Sequence, residues 1–511
     1  DDGDGYGDPG DSTTACSAPT GHVSNYTDCD DSNSAINPGA SETTGDGVDY
    51  NCDGAEVCYR DYDNDGYRPD STTTYSSSDT DCNDSHEALS SEPTGDCDDN
   101  CATCYPGASE ANDGNDNDCD GLEDENVTFA LAATLTVSDC GGSSACGPIY
   151  ATVGHGGASS YPTIAVACYD SDDVYIFKGS SRSGVFSSSD YDCERSGSSP
   201  RSISWGFING GSNRDFVAVS AGSDKVWSHL LNSTADFTSA SPIDDNLNSG
   251  SSPRAVKLLQ DCDTDDDAEF MAVGENGTGY LSYWYNNGDG SWNHCSAEKT
   301  KIATGSTGPI HMREVDMNGN GNADIIAANG SDGTVKMVLN TYSSCSSCSG
   351  LSVSSAYTVA SGLSSPRAVA IDDFNGDGRL DVAVTDSGSD YVYNYQMSTS
   401  SYTSFTRVWS YDLDGLCGSG SDPEGVHNGY FNNDTYVDLA VVCSGTNNVV
   451  LLMGYGDGTF DPIAPTSLVG VGSDPREIWV EDLDGDGCID DFVVANYGSD
   501  TVGVYFGEEC L

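Results

Sequence analysis

The sequence predicts an all-β protein: a seven-bladed β-propeller that follows an N-terminal, loop-rich module stabilised by disulfides and calcium. Three observations predict this fold. Units of roughly fifty residues repeat along most of the chain. Aspartate-rich loops stand at the start of short apolar runs, and the first 125 residues are rich in Asp, Asn and Cys but poor in aliphatic side chains. We therefore expect two domains, residues 1–125 and 126–511.

The second domain is built from seven similar units, each of which opens with a proline. Successive prolines are 52, 53, 56, 57, 57 and 52 residues apart. Within a unit, short apolar runs alternate with Gly/Ser/Asp turns and show no helical period. Units of this length with four short strands are typical of propeller blades, so seven units predict seven blades. The prolines are Pro148, Pro200, Pro253, Pro309, Pro366, Pro423 and Pro475.

The two ends of the second domain predict how its ring closes. The last unit provides strand patterns near residues 477–481, 492–496 and 502–506, but no outer strand. The segment 127–137 precedes the first unit and has no unit of its own. We predict that this segment pairs with the last unit as its fourth strand. The alternative is an independent linker strand.

Oxygen-bearing side chains occupy alternate positions just before a strand in several units, as in Asp373-Phe-Asn375-Gly-Asp377-Gly. Calcium accepts six to eight oxygen ligands, and glycine allows the tight turn that wraps them around one ion. An EF-hand would need Glu at the twelfth position, where this chain has Val384 and Val493. The loops therefore belong to a β-protein. The predicted ligands are Asp261, Asp263, Asp265, Asp267, Glu269, Asp316, Asn318, Asn320, Asp324, Asp373, Asn375, Asp377, Asp381, Asp482, Asp484, Asp486 and Asp490.

The remaining three units keep fewer ligands. Tyr430 replaces the first ligand in the sixth unit, the second unit keeps little beyond Asn209 and Asp215, and the first keeps none. We expect backbone hydrogen bonds and disulfides to hold these loops. The units resemble FG-GAP/VCBS repeats, as in integrin α-subunit propellers, over most of residues 147–511. That resemblance implies a calcium loop between the first and second strands of a blade.

The first domain contains a repeat of its own. Four pairs of phrases match: Asp2-Gly-Asp4-Gly-Tyr6 with Asp63-Asn-Asp65-Gly-Tyr67, Thr27-Asp-Cys29 with Thr80-Asp-Cys82, Pro38-Gly-Ala-Ser-Glu42 with Pro106-Gly-Ala-Ser-Glu110, and Tyr50-Asn-Cys-Asp-Gly54 with Asn117-Asp-Cys-Asp-Gly121. These phrases resemble the metal-binding repeat of MopE-like surface proteins and, more loosely, thrombospondin type-3 repeats. The copper site of the first family is not implied, because no soft or imidazole ligands cluster here.

Hard oxygen ligands indicate calcium in the first domain as well. Because the domain has so little apolar material, we expect metals and disulfides to supply its stability. The predicted ligands are Asp2, Asp4, Asp61, Asp63, Asp65, Asp116, Asp118, Asp120 and Asp124.

Cysteine is frequent, with 21 residues, and no zinc pattern of the usual spacing occurs. Disulfides in an oxidising, extracellular compartment are the better interpretation. The first domain holds nine cysteines, so at least one is free or intermolecular. The twelve of the second domain are grouped by unit, which predicts mostly within-blade bridges. The predicted pairs are Cys140/Cys146, Cys168/Cys193, Cys262/Cys295, Cys345/Cys348, Cys417/Cys443 and Cys488/Cys510.

The charge and the motifs exclude several classes of function. A formal charge of −65 excludes a nucleic-acid partner. No apolar run reaches membrane-spanning length, and no signal peptide or lipidation motif is present. Asn-x-Ser/Thr sequons permit glycosylation without demonstrating it. His86-Glu87 begins a zincin-like phrase, but Ser90 stands where the second His belongs, and no Gly-x-Ser-x-Gly motif occurs. We expect no enzymatic role.

These features predict a secreted or cell-surface structural or adhesive protein that binds several calcium ions. Two unlike domains in one chain favour head-to-tail contacts between copies, and such contacts give a filament, an appendage or a matrix when they do not close. One alternative is a soluble propeller that binds a carbohydrate or a protein. The other is a secreted enzyme whose site is assembled from several blades.

Overall fold

The computed structural model describes residues 2–108, 115–119, 129–140, 144–154, 161–179, 185–209, 213–243, 247, 249–259, 268–301, 308–342, 347–432, 434–462 and 468–507, with the backbone alone for 296–301. The chain divides into two compact units, Asp1–Asn126 and Val127–Leu511. No helix in the described part of the chain has the length and apolarity to span a bilayer.

The N-terminal unit contains one small antiparallel sheet, in which the central strand pairs with both others. Its strands are β1 (Val57–Asp61), β2 (Thr74–Ser76) and β3 (His86–Ala88), in the order β2-β1-β3. Most other described residues of this unit form turns, in which Asp and Asn side chains accept the backbone N–H two residues later, as at Asp28 and Asp53. Such local hydrogen bonds compete with regular elements.

Little apolar surface is buried in the N-terminal unit. Among its described residues, the buried apolar side chains are Ala88 and three disulfide cysteines, Cys58, Cys82 and Cys104. Hydrophobic burial stabilises a fold in proportion to the apolar area removed from water. This unit therefore depends on covalent and polar contacts, as its composition predicts.

The second unit is all-β, and its described residues form seven successive antiparallel sheets of four or five strands. Sheet 1 contains β5 (Pro148–Gly154), β6 (Thr163–Cys168), β7 (Asp173–Lys178) and β8 (Tyr191–Arg195). Sheet 2 contains β9 (Pro200–Gly206), β10 (Asp215–Ser220), β11 (Lys225–Leu231) and β12 (Phe237–Ile243). Sheet 3 contains β13 (Pro253–Leu259), β14 (Phe270–Glu275), β15 (Tyr280–Asn286) and β16 (Trp292–Lys301).

Sheets 4 to 7 continue the series. Sheet 4 contains β17 (His311–Val315), β18 (Asp324–Asn329), β19 (Thr334–Val338) and β22 (Tyr357–Ser361), and the hairpin of β20 (Asn340–Tyr342) and β21 (Leu351–Val353) is inserted in it. Sheet 5 contains β23 (Pro366–Asp372), β24 (Asp381–Asp386), β25 (Tyr391–Ser398) and β26 (Ser401–Asp412). Sheet 6 contains β27 (Pro423–Gly429), β28 (Asp438–Cys443), β29 (Asn448–Gly454), β30 (Phe460–Pro462) and β31 (Leu468–Gly470). Sheet 7 contains β32 (Pro475–Val480), β33 (Phe492–Asn496), β34 (Thr501–Phe506) and β4 (Ala130–Thr136).

Helical structure is confined to short turns in the described residues. The one α-helical turn is α1 (Asp414–Cys417), which connects sheets 5 and 6. The 3-10 turns are Gly330–Asp332, Cys348–Gly350 and Tyr497–Ser499.

Burial within each sheet changes from the second strand to the outer one. Every residue of the second strand is buried in all seven sheets, from β6 to β33. The sequences of such strands are nearly continuous runs of small and branched apolar residues, because both of their faces are covered. The outer strand β26 instead alternates between half-buried and exposed residues. The core therefore lies between neighbouring sheets.

The first strands of consecutive sheets contact one another in sequence order, and β32 of sheet 7 contacts β5 of sheet 1. Sheet 7 also joins the two ends of the unit, because β34 pairs antiparallel with β4. Leu135 lies opposite Val502 in this pairing, and both are buried. These contacts give a closed, propeller-like arrangement.

The disulfides of the second unit correct most of the predicted pairs. Cys417–Cys443 is confirmed. The pairs Cys140/Cys146, Cys168/Cys193, Cys262/Cys295 and Cys345/Cys348 are wrong, because the bridges are Cys140–Cys193, Cys146–Cys168 and Cys295–Cys348. Cys488 is disulfide-bonded, whereas Cys262, Cys345 and Cys510 lie outside the described residues.

The physical reason for this correction is the contact between neighbouring sheets. Cys140 follows β4 of sheet 7 and bonds to Cys193 in the outer strand of sheet 1. Cys295 in β16 of sheet 3 bonds to Cys348 beside the hairpin of sheet 4. These two bridges therefore cross between neighbouring sheets, which spacing along the chain does not show. Cys146–Cys168 instead joins the segment just before β5 to β6 of the same sheet.

Candidate metal sites

Two clusters of three aspartates lie in the N-terminal unit, and two members of each occupy matching positions of its repeat. Asp2, Asp4 and Asp28 bring one carboxylate oxygen each within 4.8 Å of one another. Oxygens around one calcium ion lie about 2.3–2.6 Å from it, so opposite ligands are about 5 Å apart. The spacing of this first cluster therefore fits a single calcium ion.

The second cluster repeats this arrangement around the loop that follows β1. Asp61, the last residue of β1, approaches Asp63 and Asp65 within 4.8 Å. Its two oxygens accept the N–H groups of Asn64 and Gly66, which wraps the loop around its carboxylate. Asp63 and Asp65 correspond to Asp2 and Asp4.

The two clusters share one hydrogen-bond pattern. In six aspartates of the two clusters and their surroundings, Oδ1 accepts the backbone N–H of the residue two positions later, at 2.7–3.3 Å. In the same six, Oδ2 is buried and has no hydrogen-bond partner among the described residues. A buried carboxylate oxygen without a partner costs folding free energy unless a cation neutralises it. The six are Asp2, Asp4 and Asp28 of the first cluster, Asp63 and Asp65 of the second, and Asp96, whose carboxylate feels the charges of Asp63 and Asp65. Asp61 differs, because both of its oxygens accept N–H groups.

Electrostatics of the second cluster also indicate a cation. Burial, and then the charge of Asp65, raises the pKa of Asp63 to about 6. Burial, and then the charges of Asp63 and Asp65, raises the pKa of Asp96 to about 6. A further carboxylate, Asp99, adds to this field and pairs with Arg60. Repulsion of this kind ends when a divalent ion binds between the carboxylates.

Asp28 and Asp96 were missed by the sequence prediction, although a signal for them is present. Each begins the phrase Asp-Cys-Asp-Asp, at residues 28–31 and 96–99. The prediction matched Thr27-Asp-Cys29 with Thr80-Asp-Cys82 instead, and that register is wrong. Cys29 bonds to Cys52 and Cys97 bonds to Cys119, with separations of 23 and 22 residues, whereas Cys82 bonds to Cys58.

A third acidic group surrounds Glu56, which the prediction also missed. Glu56 is 1% exposed, and neither of its carboxylate oxygens has a hydrogen-bond partner in the described residues. Burial, and then the charge of Glu42, raises the pKa of Glu56 to about 7. Glu42 itself accepts the N–H groups of Tyr50 and Asn51.

Three predicted loops of the second unit are formed around their first aspartate. Asp316 accepts the N–H groups of Asn320 and Gly321, and Asp373 accepts those of Asp377 and Gly378. Asp482 accepts those of Gly485 and Gly487 in the same way. Each loop thus winds around a carboxylate at the end of a first strand. Asn318, Asn320, Asn375, Asp377, Asp484 and Asp486 lie within these loops.

A buried aspartate at the start of the second strand closes each loop. Asp381 Oδ1 accepts the N–H of Met397 at 3.0 Å, and its Oδ2 is buried with no partner among the described residues. Asp324 accepts the N–H groups of Asn340 and Met317 at 2.7 and 3.1 Å. Burial is the main cause that raises the pKa of both carboxyl groups to about 7. Of these two aspartates, Asp381 keeps a carboxylate oxygen, Oδ2, that can bind a cation.

In sheet 7 this closing position belongs to Asp491, one residue beyond the predicted Asp490. Asp491 Oδ1 accepts the N–H of Gly507 at 3.0 Å, and Oδ2 accepts that of Leu483 at 2.7 Å. These are the counterparts of the bonds that Asp324 makes. Asp490 lies beside it, and burial together with the charge of Asp491 raises the pKa of Asp490 to about 8.

The remaining predicted ligands lie partly outside the described residues. Asp120, Asp124, Asp261, Asp263, Asp265 and Asp267 lie outside the described residues. Glu269 is buried at the start of β14, where its backbone carbonyl accepts the N–H of Asn286. Asp116 and Asp118 stand beside Cys119, and the backbone carbonyl oxygen of Asp116 lies 3.2 Å from Cys97 Sγ.

The donor set of the N-terminal clusters fits a hard cation and does not fit copper. Asp28 lies beside Cys29 and Cys52, but these cysteines form a disulfide and offer no thiolate. The atoms that remain are carboxylate oxygens, which suit calcium, magnesium or manganese.

Two family models match parts of the chain. The model described as "Putative metal-binding motif", of the MopE type, matches residues 28–56 and 96–125. The model described as an FG-GAP-like repeat matches residues 373–441 and 430–494. The chain therefore carries MopE-like metal-binding motifs and FG-GAP-like repeats, as the sequence predicts. No curated protein matches the chain.

Several solved structures are weakly similar to parts of the chain. A virginiamycin B lyase from Staphylococcus aureus is 11% identical with a TM-score of 0.45, over 74% of this chain and 99% of that one. A protein from Lactobacillus plantarum is 14% identical with a TM-score of 0.46, over 68% of this chain and 90% of that one. At these values the likenesses carry no argument about function.

Proposed function

We propose that the protein is an extracellular structural protein whose N-terminal unit and propeller loops bind calcium. The observation that carries this proposal is the pair of aspartate clusters, in which carboxylate oxygens lie within 4.8 Å of one another and most members keep one buried oxygen without a partner among the described residues. Calcium is preferred to magnesium because the clusters offer several carboxylates from flexible loops, whereas magnesium demands near-ideal octahedral geometry and keeps its waters. The disulfides and the repeats fit an extracellular location, where free calcium is plentiful.

The second unit serves in this proposal as a rigid seven-bladed propeller. Seven consecutive sheets, each joined to the next through its first strand, support that count. The pairing of β4 with β34 supports closure within one chain. A closed ring leaves only the outer strand of each blade as a sheet edge and makes a stiff building block. No catalytic step forms part of the proposed function.

The proposal extends to self-assembly. A chain with one propeller and one loop-rich unit has two unlike surfaces, and a contact between unlike surfaces of successive copies does not close on itself unless the rotation permits it. We infer that the N-terminal unit of one copy binds the propeller of the next and forms a filament or matrix. The net charge of −65 requires cations between such copies, since like-charged chains repel.

Calcium binding is tested by isothermal titration of the metal-free protein with calcium chloride. Asp28→Asn and Asp96→Asn each remove one ligand from one cluster, so each is expected to lower the number of tight sites by one. Asp11→Asn is the matched control, because Asp11 is exposed and belongs to neither cluster. Unchanged stoichiometry in both cluster variants would contradict the proposed sites.

Self-assembly is tested by electron microscopy of the protein with calcium and after chelation. Filaments or sheets with calcium support the structural role. Discrete particles under both conditions would contradict it and favour a soluble binding propeller.

A further inference from the structure

A positively charged cavity lies in the second unit, at the point where the first strands of the sheets begin. The residue that follows the unit proline lines this cavity in every unit. At four of the seven units that residue is arginine, and at one it is Glu424. The arginines are Arg201, Arg254, Arg367 and Arg476.

This concentration of positive charge is unusual for the chain. The protein has 18 lysine and arginine residues against 83 aspartates and glutamates, yet four of the 18 line one cavity. The acidic loops do not cancel the local charge at a distance, because screening at physiological salt limits charge interactions to about 8 Å. The composition of the cavity is therefore what a ligand meets.

Two of the arginines are paired with acids, and two are not. Arg476 and Arg367 share Glu424, at 3.1 and 3.5 Å. Arg201 lies over the ring of Tyr169, with 4.0 Å from guanidinium carbon to ring centroid. Arg254 makes no ion pair or hydrogen bond among the described residues. The buried Nε atoms of Arg201 and Arg254 both lack a partner there.

A second acid, Glu477, lines the cavity and lies 3.6 Å from His311. Among the described residues, the half-buried guanidinium groups of Arg201 and Arg254 form no ion pair with either glutamate. Burial is the main cause that lowers the pKa of Arg254, and the charges of Arg201 and Arg367 add to it. Burial also lowers the pKa of Arg201. Buried like charges repel, and guanidinium groups offer forked N–H donors that match the oxygens of an anion.

The size of the cavity limits what it accepts. Its volume is about 120 Å³, which corresponds to about four water molecules at roughly 30 Å³ each. Arg367 and Arg476 keep 33% and 30% of their side-chain surface exposed, so the cavity opens to solvent. A single small anionic group fits this space, whereas a folded segment of another protein does not.

We propose that the arginine cavity binds a small oxyanion, such as a sulfate group, between Arg201 and Arg254. This site goes beyond the proposed calcium-binding role and does not depend on it. The oxyanion has two possible sources: a free inorganic ion and a sulfate group carried by a sugar. Both present the same oxygens to the guanidinium N–H groups.

The proposal is tested by calorimetric titration of the calcium-loaded protein with sodium sulfate, glucose 6-sulfate and glucose. Titration of sulfate into the same calcium buffer without protein gives the heat of calcium–sulfate pairing, which is subtracted. We expect saturable binding of both sulfates and none of glucose. Tighter binding of the sugar sulfate identifies a glycan source, and equal or tighter binding of sulfate identifies a free ion.

Two substitutions with opposite expected effects on sulfate affinity distinguish a binding role of the cavity residues from a purely structural one. Arg254→Gln is expected to weaken sulfate binding about tenfold, since it removes a charged donor. Glu424→Gln is expected to tighten sulfate binding, because it removes the acid that competes for the arginines. A substitution that only loosened the fold would not tighten binding. Arg407→Gln, at an exposed arginine of β26, is the control and should bind as the wild type does.

Two results would overturn the proposal. One is the absence of saturable sulfate binding by the wild-type protein at low ionic strength. The other is sulfate binding that Arg201→Gln and Arg254→Gln both leave unchanged while the melting temperature of each variant matches the wild type. Loss of calcium binding in the aspartate variants would leave this site untouched, so the two proposals fail separately.

Discussion

Chelation of calcium is expected to unfold the N-terminal unit while the second unit stays folded. The N-terminal unit has little else to rely on, because among its described residues Ala88 and disulfide cysteines are the buried apolar side chains. The second unit buries the second strand of every sheet and the apolar side chains packed against it. Loss of its loop ions therefore removes a smaller share of its stability.

The magnitude follows from the two matched clusters. An ion present at a hundredfold excess over its dissociation constant stabilises the folded state by about 2.7 kcal/mol. Two such ions contribute about 5 kcal/mol, which is the lower end of the total stability of a typical domain at about 5–15 kcal/mol. Removing both ions also restores repulsion among the carboxylates around Asp63 and Asp96. The unit is then expected to open locally between its disulfides.

Limited proteolysis followed by peptide mass mapping measures this order. The protein is digested with calcium and with a chelator, without reducing the disulfides. We expect early cuts within residues 1–125 only after chelation, and a resistant fragment that contains the second unit. Asp96→Asn should show some of these cuts even with calcium, while the exposed control Asp11→Asn should not. Equal sensitivity of the two units to the chelator, or earlier cleavage of the second, would refute the reasoning.

Three further outcomes are expected. Calcium affinity of the N-terminal unit should fall as the pH drops through about 6, because protons compete for Asp63 and Asp96, whose pKa values are raised to about 6 in the metal-free fold. The metal-free unit should show the opposite trend and lose stability as the pH rises from about 4 through 6, because these carboxyl groups then lose their protons at a buried site. Calorimetry and thermal melts at several pH values check both signs. Asp491→Asn should destabilise the second unit by about 1–3 kcal/mol, since an amide donor then faces a backbone N–H, and Asp490→Asn should cost less; denaturant melts compare the pair. Deletion of residues 1–125 should leave a folded, monomeric propeller by light scattering, and continued polymerisation would show that another surface connects the copies.

Local patterns in the sequence correspond closely to local features of the fold. The unit prolines stand at the first residue of β5, β9, β13, β23, β27 and β32. The buried aspartate fifteen residues later starts the second strand, as at Asp381 and Asp438. These features depend on neighbours along the chain: proline cannot donate to the ladder, and an Asp-Gly loop turns within a few residues. Composition likewise determined that the described residues of the first unit bury little apolar surface.

Tertiary structure alone decided which distant residues meet. Asp28 joins Asp2 and Asp4 because the chain returns across a loop of more than twenty residues. Cys295 bonds to Cys348 because two neighbouring sheets place their outer parts together, 53 residues apart in sequence. The arginines of the cavity likewise come from separate units, and the sequence shows them only as a recurring Pro-Arg. The spacing of residues along the chain predicts local features such as turns and strand starts. Which distant side chains come into contact depends on how the sheets pack around the ring.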